Sequence, residues 1–181
     1  MNNNVISMVR KQINGTDIYK EDWKNIKGTN CYSYALCNDL SVYELKKLDE
    51  SFDYFVGIFS DSAECIDDCK DLEEAFYKDM NVLNIDIAKA SANCKLTDNE
   101  WLIAMYMTEK YYDESLEKID FDFHFLRKSK DGIWRHKMGN LGRICEIDDD
   151  YETIYDPNKA NMYLDDNLKY NLVGIYKLHR K

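Results

Sequence analysis

The spacing of apolar and polar residues divides the chain into a helix-rich first half and a strand-rich second half. Residues 1–20 are polar and predict only a loose lead-in. Asn30 ends a turn and is a candidate N-cap, so a short helix is predicted over residues 31–36. A capping-box pattern, Ser followed three residues later by Glu, begins a second helical piece over residues 41–48.

Two further elements are predicted before residue 80. Residues 53–60 predict a strand, because β-branched and aromatic side chains dominate the run. Residues 61–80 predict a strongly acidic helix whose charged positions form a solvated face. On that helix Cys65 and Cys69 continue one apolar stripe, so both thiols are expected to be buried.

Apolar runs of strand length dominate the second half of the chain. Residues 101–108 fit either a helix begun by Thr97 or a buried strand, and the length of the run favours the strand. Later strands are predicted at residues 121–128, 133–137, 143–147 and 170–178. Helices first and strands last are typical of an α+β fold. No composition shift suggests a boundary, so a single domain is expected over residues 1–181.

Composition restricts the possible functions more than it restricts the possible folds. Apolar residues make up 45% of the chain and aromatic residues 13%, which suits a packed domain. The formal net charge of -10 argues against nucleic acid or an anionic membrane as the partner, because phosphate binding needs clustered Lys and Arg. No run reaches the roughly 18 apolar residues of a membrane span, and no apolar leader begins the chain. We therefore expect a cytoplasmic protein, with secretion by a non-classical route as the alternative, and no cofactor is indicated.

Two of the three histidines flank a predicted hairpin turn. The turn, Ser129 to Gly132, contains the strong turn dipeptide Asp-Gly. If paired residue numbers sum to about 260, His124 lies directly opposite His136, with Cβ atoms roughly 5 Å apart. The alternative is a pair of half-buried strand histidines without a catalytic role.

Cys31 is the cysteine best placed for chemistry. It falls in the first turn of a predicted helix, where free N–H groups and the helix dipole are expected to stabilise a thiolate. A nucleophilic cysteine also needs a nearby imidazole. By itself a cysteine at this position would be interpreted as a core residue, and its combination with the histidine hairpin is what suggests a catalytic site.

These residues stand in three stretches, Asn30-Cys31-Tyr32-Ser33-Tyr34-Ala35, Asp122-Phe123-His124-Phe125 and Gly132-Ile133-Trp134-Arg135-His136-Lys137. Together the stretches resemble the active-site segments of the NlpC/P60 type of papain-like cysteine peptidases and amidases, over about a quarter of the chain. In that family a cysteine opens a helix, a histidine follows on a strand, and a polar residue lies on the next strand about a dozen residues later. The chain departs from the usual Asp-Cys-Ser pattern, because Asn30 and Tyr32 flank the cysteine.

The resemblance implies a papain-like fold, with N-terminal helices packed on an antiparallel sheet and an insertion within residues 61–118. It also implies that Cys31 attacks a carbonyl, that His124 moves the proton, and that His136 orients His124. Asp156 is the alternative orienting residue. The remaining candidates are Asn30 or Tyr32, beside the Cys31 N–H, as oxyanion donors, and Trp134 as a wall of the cleft.

Three functions remain open from the sequence. The first is a cysteine-dependent amide or peptide hydrolase, or an acyl transferase, that uses a Cys-His-His triad and an acyl-thioester intermediate. The second is a catalytically inactive papain-like module that binds a basic protein partner. The third is a zinc centre formed by Cys31, His124 and His136.

Overall fold

A computed structural model describes residues 1–19, 27–139, 142–165 and 167–181. The helices in these ranges are α1 (Asn3–Gly15), α2 (Cys31–Ala35), α3 (Val42–Leu45) and α4 (Cys69–Leu83), with one 3₁₀ turn at Ala63–Cys65. The strands are β1 (Ile85–Lys89), β2 (Glu100–Thr108), β3 (Tyr111–Asp113), β4 (Lys118–Asp120), β5 (Phe123–Lys128), β6 (Trp134–Lys137), β7 (Ile144–Cys145), β8 (Tyr163–Asp165) and β9 (Leu168–Arg180).

The strands form one large antiparallel sheet and one small hairpin. The large sheet has the order β1-β9-β2-β5-β6-β7, with β8 added to β9, and β3 pairs with β4 separately. Every strand pair in the described part of the chain is antiparallel. The predicted α+β class, helices packed on an antiparallel sheet, is confirmed.

Strand β2 lies in the middle of the sheet and is buried on both faces. Trp101, Ile103 and Met105 pack in the larger core with the helices. Leu102, Ala104 and Tyr106 pack on the opposite face, against a second core that includes Trp134, Ile154, Met162 and Tyr170. A strand covered on both faces has a continuous apolar run rather than an alternating one, which is why helix and strand were hard to separate here.

The expectation of a loose lead-in at residues 1–20 is wrong for residues 3–15, which form α1. Its buried positions are Val5, Val9 and Ile13, one on each successive turn. The Asn2 side chain caps the helix by accepting from the Asn4 N–H. Three apolar residues spaced four apart are a weak signal among polar neighbours, and docking on the core stabilises the helix.

The predicted strand at residues 53–60 is also wrong, because this segment is a series of turns. Its backbone is held by the buried carboxylate of Asp79 on α4, which accepts from the N–H groups of Gly57 and Ser60, each at 2.8 Å. The side chains of Tyr54 and Phe59 enter the core, and Phe55 lines the cavity described below. The apolar composition therefore reflects burial of side chains on a backbone that is not a strand.

The acidic helix begins later than expected. Asp68 rather than Asp61 is its N-cap, with a side chain that accepts from the N–H groups of Lys70 and Asp71. Cys65 precedes the helix and Cys69 is its first residue, and both are exposed. The predicted buried cysteine stripe is therefore wrong.

The hairpin between β5 and β6 has a register two residues away from the predicted one. His136 lies opposite Leu126, and Trp134 opposite Lys128. The turn is centred one residue further along than assumed, at Asp131, since the Ser129 N–H donates to the Ile133 carbonyl at 2.8 Å and Gly132 takes the left-handed φ of 88° that a three-residue loop requires. A shift of two residues keeps each side chain on its original face of the sheet, because side chains alternate with a period of two.

Residues 61–118, which were expected to include an insertion, supply α4, β1 and the central strand β2. In the described part of the chain, no helix combines the length and the apolar character needed to cross a lipid bilayer.

Candidate active site

Cys31 is the first residue of α2, and the local sequence fixes it there. The Asn30 side chain accepts from the N–H groups of Tyr32 (3.0 Å) and Ser33 (3.1 Å), and the Ser33 hydroxyl accepts from the Asn30 N–H at 2.8 Å. This reciprocal capping box satisfies two of the free donors of the first turn. The other end of α2 is tied to the sheet, since the Trp101 indole donates to the Ala35 carbonyl at 2.8 Å.

His124 on β5 and His136 on β6 form a buried imidazole pair. Nε2 of His124 lies 2.8 Å from Nδ1 of His136, and the rings meet edge to face with centroids 4.9 Å apart. The two side chains are 8% and 3% exposed. The predicted meeting of the two histidines is therefore present, as a diagonal pair across the hairpin rather than a directly opposite one.

The hydrogen bonds of this pair determine which nitrogen carries each proton. Nε2 of His136 lies 3.0 Å from the Ile147 carbonyl, which can only accept, so this nitrogen carries a proton. Burial lowers the pKa of His136, so its ring is neutral and Nδ1 is an acceptor. Nε2 of His124 must then donate to it. Because burial and the neighbouring His136 lower the pKa of His124 to about 3, its Nδ1 is left with an unprotonated lone pair.

The acceptor of this relay is held by the loop that follows β7. Ile147 pairs with Thr153 in an isolated bridge. Asp148 then accepts from the Glu152 N–H at 3.1 Å and from the Asn161 N–H at 2.9 Å. These bonds fix the loop beside the His136 ring, and thereby fix its tautomer.

Cys31, His124 and His136 line one cavity of about 480 Å³. The other residues that line it include Asn30, Tyr54, Phe55, Asp122, Phe123, Met138, Gly139, Asp149, Met162, Tyr163, Leu164 and Tyr170. The three predicted catalytic side chains are therefore brought to one place by three different elements, α2, β5 and β6.

The thiol of Cys31 is buried and protonated in the resting site. The residue is 6% exposed, and its Sγ–H points to the Phe123 carbonyl, 3.9 Å away. Burial, and to a lesser extent the carboxylate of Asp122, raises the pKa of this thiol to about 12. The expected stabilisation of a thiolate by the helix end is therefore wrong in direction, since loss of hydration outweighs a helix of five residues. Within the described part of the chain, no hydrogen bond joins Cys31 to His124.

Several other sequence candidates lie elsewhere. The Tyr32 hydroxyl is buried in the core and donates to Asp79 Oδ2 at 2.6 Å, so Tyr32 is not an oxyanion donor. Trp134 is fully buried in the second core and is not a wall of the cavity. Asp156 accepts from Asn158 in its own turn and forms no hydrogen bond with either histidine of the described site. Asn30 does line the cavity, although one N–H of its amide already donates to the Tyr54 carbonyl at 2.8 Å.

The structure adds residues that the sequence analysis missed. Tyr170 on β9 lies against the His124 ring, with centroids 5.5 Å apart, and its hydroxyl donates to Asp122 Oδ2. Lys137 is 1% exposed, donates to the Gly139 carbonyl at 2.6 Å, and has a pKa lowered to about 8 by burial. Asp122 and Lys137 stand at the ends of stretches already quoted. Asp122 has the same strand parity as His124, which was an available signal, whereas Lys137 has the opposite parity to the histidine of its own strand. Tyr170 comes from a distant strand and carried no such signal.

Comparison of the chain with protein-family models, with curated proteins and with solved structures found no match in any of the three. Among the described residues there is also no group of three or more His, Cys, Asp or Glu side chains placed to hold a metal ion.

Proposed function

We propose that this protein is a cysteine-dependent hydrolase or acyl transferase, of papain-like architecture, that acts on an amide or peptide bond through an acyl-thioester. Cys31 is the nucleophile, His124 the base and acid, and His136 the residue that orients His124. The observation that carries the proposal is the ordered relay from the Ile147 carbonyl through both imidazoles, which leaves Nδ1 of His124 without a proton; His124 and Cys31 line the same cavity.

The relay suits proton transfer in both directions. As Sγ of Cys31 attacks the carbonyl carbon, its proton moves to Nδ1 of His124. The resulting imidazolium keeps its Nε2–H bond to His136, which spreads the positive charge. The C–N bond then breaks, the leaving amine takes the proton from His124, and the acyl group remains on sulfur. Water or a second amine, deprotonated by the same nitrogen, then attacks the acyl carbon, the S–C bond breaks, and the sulfur of Cys31 takes the proton back from His124.

A donor for the oxyanion is also present. The cap formed by Asn30 uses the N–H groups of Tyr32 and Ser33 and leaves out that of Cys31. In the described part of the chain no acceptor takes the Cys31 N–H, which as the first helical donor has no partner inside α2. This N–H belongs to the residue whose sulfur attacks, and the oxyanion develops on the oxygen of the substrate carbonyl carbon that becomes bonded to that sulfur.

An activated acyl donor tests the proposal without knowledge of the natural substrate. The native protein is incubated with p-nitrophenyl acetate, nitrophenolate release is followed, and acetylated cysteines are located by peptide mass mapping. We expect acetyl-Cys31 and release of more than one equivalent of nitrophenolate. His124→Ala should slow acylation of Cys31 by about 100-fold or more, the range of general base catalysis.

Two variants serve as controls. Cys31→Ala should abolish turnover, and Cys69→Ser, which removes an exposed thiol outside the cavity, should keep it. Full activity in His124→Ala, with the fold intact by circular dichroism, would show that the proposed mechanism is wrong.

The second candidate is an inactive papain-like module that binds a basic partner. One observation favours it: both Cys31 and His124 are neutral at rest, and no hydrogen bond joins them within the described residues. The two candidates differ in the acylation experiment. An inactive module should show no faster acetylation at Cys31 than in the His124→Ala variant, and no turnover.

A further inference from the structure

The charged side chains of the described residues that line the cavity around Cys31 are all acidic. They are the carboxylates of Asp122 and Asp149, and no Lys or Arg is among the described residues that line the cavity. The imidazoles are held neutral by burial. A group that enters this cavity therefore meets two carboxylates on the lining, with no Lys or Arg side chain among the described lining residues to compensate them.

Asp122 is the carboxylate closest to the proposed chemistry. It directly precedes β5, where its N–H donates to the Thr108 hydroxyl at 2.9 Å. One carboxylate oxygen accepts from the Tyr170 hydroxyl, and Tyr170 in turn packs on the ring of His124. Burial raises the pKa of Asp122, and it forms no ion pair in the described part of the chain.

The groups around Asp122 do not neutralise it. Those that act on it or feel its charge are Cys31 on α2, Tyr111 on β3, Asp120 on β4 and Tyr170 on β9. The nearby cation, Lys137 on β6, acts on Cys31, is buried, and is bonded to the Gly139 carbonyl. The charge of Asp122 thus remains available to a ligand.

The rest of the lining suits a cationic group with an apolar stem. Tyr54 and Phe55 lie on one part of the wall, and Tyr163, Leu164 and Met138 are exposed by 39%, 39% and 51%. Aromatic faces attract ammonium and guanidinium groups, and long cationic side chains lay their methylene stems on apolar surface.

Building on the proposed function, we propose that the substrate carries an ammonium or guanidinium group close to the bond that is broken, and that Asp122 is the residue that selects for it. The substrate class is accordingly an amide or peptide with a lysine-like or arginine-like side chain, or a polyamine-like acyl acceptor. The bound cation also offsets the negative charge that keeps the Cys31 thiol protonated, so binding favours attack by sulfur.

Two thiol reagents with the same reactive group and head groups of opposite charge test this selectivity. The 2-aminoethyl and 2-sulfonatoethyl methanethiosulfonates both form a disulfide with a cysteine and release methanesulfinate, and one carries a cation where the other carries an anion. The rate at Cys31 is measured by peptide mapping for each reagent and divided by the rate at the exposed Cys69. We expect a normalised preference for the cationic reagent of about 10-fold or more, which falls as salt is added.

Substitutions then assign the preference to one carboxylate. Asp122→Asn keeps the volume of the side chain and an acceptor for Tyr170, and it should reduce the preference to near unity. Asp98→Asn removes the same charge from an exposed site outside the cavity and should leave the preference unchanged. Asp122→Glu, which keeps the charge, should retain the preference for the cation.

Several results would overturn the inference. These are equal normalised rates for the two reagents, a preference for the anion, a preference that survives in Asp122→Asn, or no reaction of either reagent at Cys31. If Asp122→Asn does not fold, the salt dependence of the preference in the wild-type protein still tests whether that preference is electrostatic, and a preference that salt does not reduce would contradict the inference. None of these results depends on acyl transfer, so failure of the proposed function shows separately, in the p-nitrophenyl acetate experiment.

Discussion

Acidification should destabilise the fold through His124, whose imidazole is 8% exposed and whose pKa burial lowers to about 3. In the unfolded chain an imidazole has a pKa of about 6.5, so between these two values the unfolded state binds the extra proton. The free energy of unfolding is therefore intact above pH 6.5 and falls as the pH decreases. From pH 7.5 to pH 5 the loss that His124 causes is about 2 kcal/mol, and His136, with its pKa also lowered, adds to it.

The measurement is urea denaturation, followed by tryptophan fluorescence, at pH 7.5 and pH 5.0 in the wild type and in His124→Gln. Glutamine can still donate to Nδ1 of His136 but cannot titrate. The direct cost of the substitution is the same at both pH values and cancels, so the wild type should lose about 2 kcal/mol more than the variant. An equal loss in both proteins would mean that His124 is not held neutral, and the deduced bare nitrogen at Nδ1 would then be untenable.

Three further outcomes follow from the same structure. Asp79→Ala should cost about 3–5 kcal/mol of unfolding free energy in a urea titration, because it leaves buried donors of three residues unpaired; Glu74→Ala, on the exposed face of the same helix, should change little. Val9→Ala should cost about 2 kcal/mol, since Val9 is fully buried, and a negligible cost would mean that α1 does not dock on the core. The rate of Cys31 acetylation, corrected with Cys31→Ala, should be nearly flat from pH 5 to pH 9, because pKa values of about 3 and about 12 leave base and thiol in one form throughout; a bell-shaped profile in that range would contradict the neutral resting pair.

The elements that the sequence predicted well are those whose signals are local. The predicted N-cap at Asn30 and the predicted capping box at Ser41 each lie next to the helix that they begin, and both are present. The Asp-Gly turn likewise gave the hairpin, and an error of two residues in register left the histidines on the correct face. An error of one residue would have placed the two imidazoles on opposite faces of the sheet.

The elements that were missed depend on partners far along the chain. Residues 53–60 have the composition of a strand, yet their N–H groups bond to Asp79, which lies 22 residues beyond Gly57. The acidic helix was expected to start at residue 61, but Asp68 is its N-cap, which places Cys69 at an exposed first turn. Composition alone does not decide the backbone conformation of a segment such as residues 53–60, because that conformation depends on distant partners.

For the candidate site, too, local features were predicted and features that depend on the complete fold were not. Residue types and spacing were enough to find Cys31, His124 and His136, because each carries a reactive side chain. The acceptor that sets the tautomers is the backbone carbonyl of Ile147, which no residue type signals. The protonation state of Cys31 was predicted in the wrong direction because the helix-end argument ignored burial, and burial depends on the complete fold.

The thiol of Cys31 and the imidazole of His124 are both neutral at rest, so the proposed nucleophile is present without being in its reactive form. The exposed Cys65 and Cys69 are open to alkylating or oxidising agents, whereas Cys31 is shielded and protonated until a ligand alters its surroundings. Two things keep it so, the loss of hydration and the unneutralised charge of Asp122. Under the proposed function, a cationic substrate would remove the second of these, and its carbonyl would receive the sulfur as the proton leaves for His124. In this proposal the charge of Asp122 both selects the substrate and couples its binding to activation of the nucleophile. Asp122→Asn should therefore weaken the selection of a cation and the activation that its binding brings.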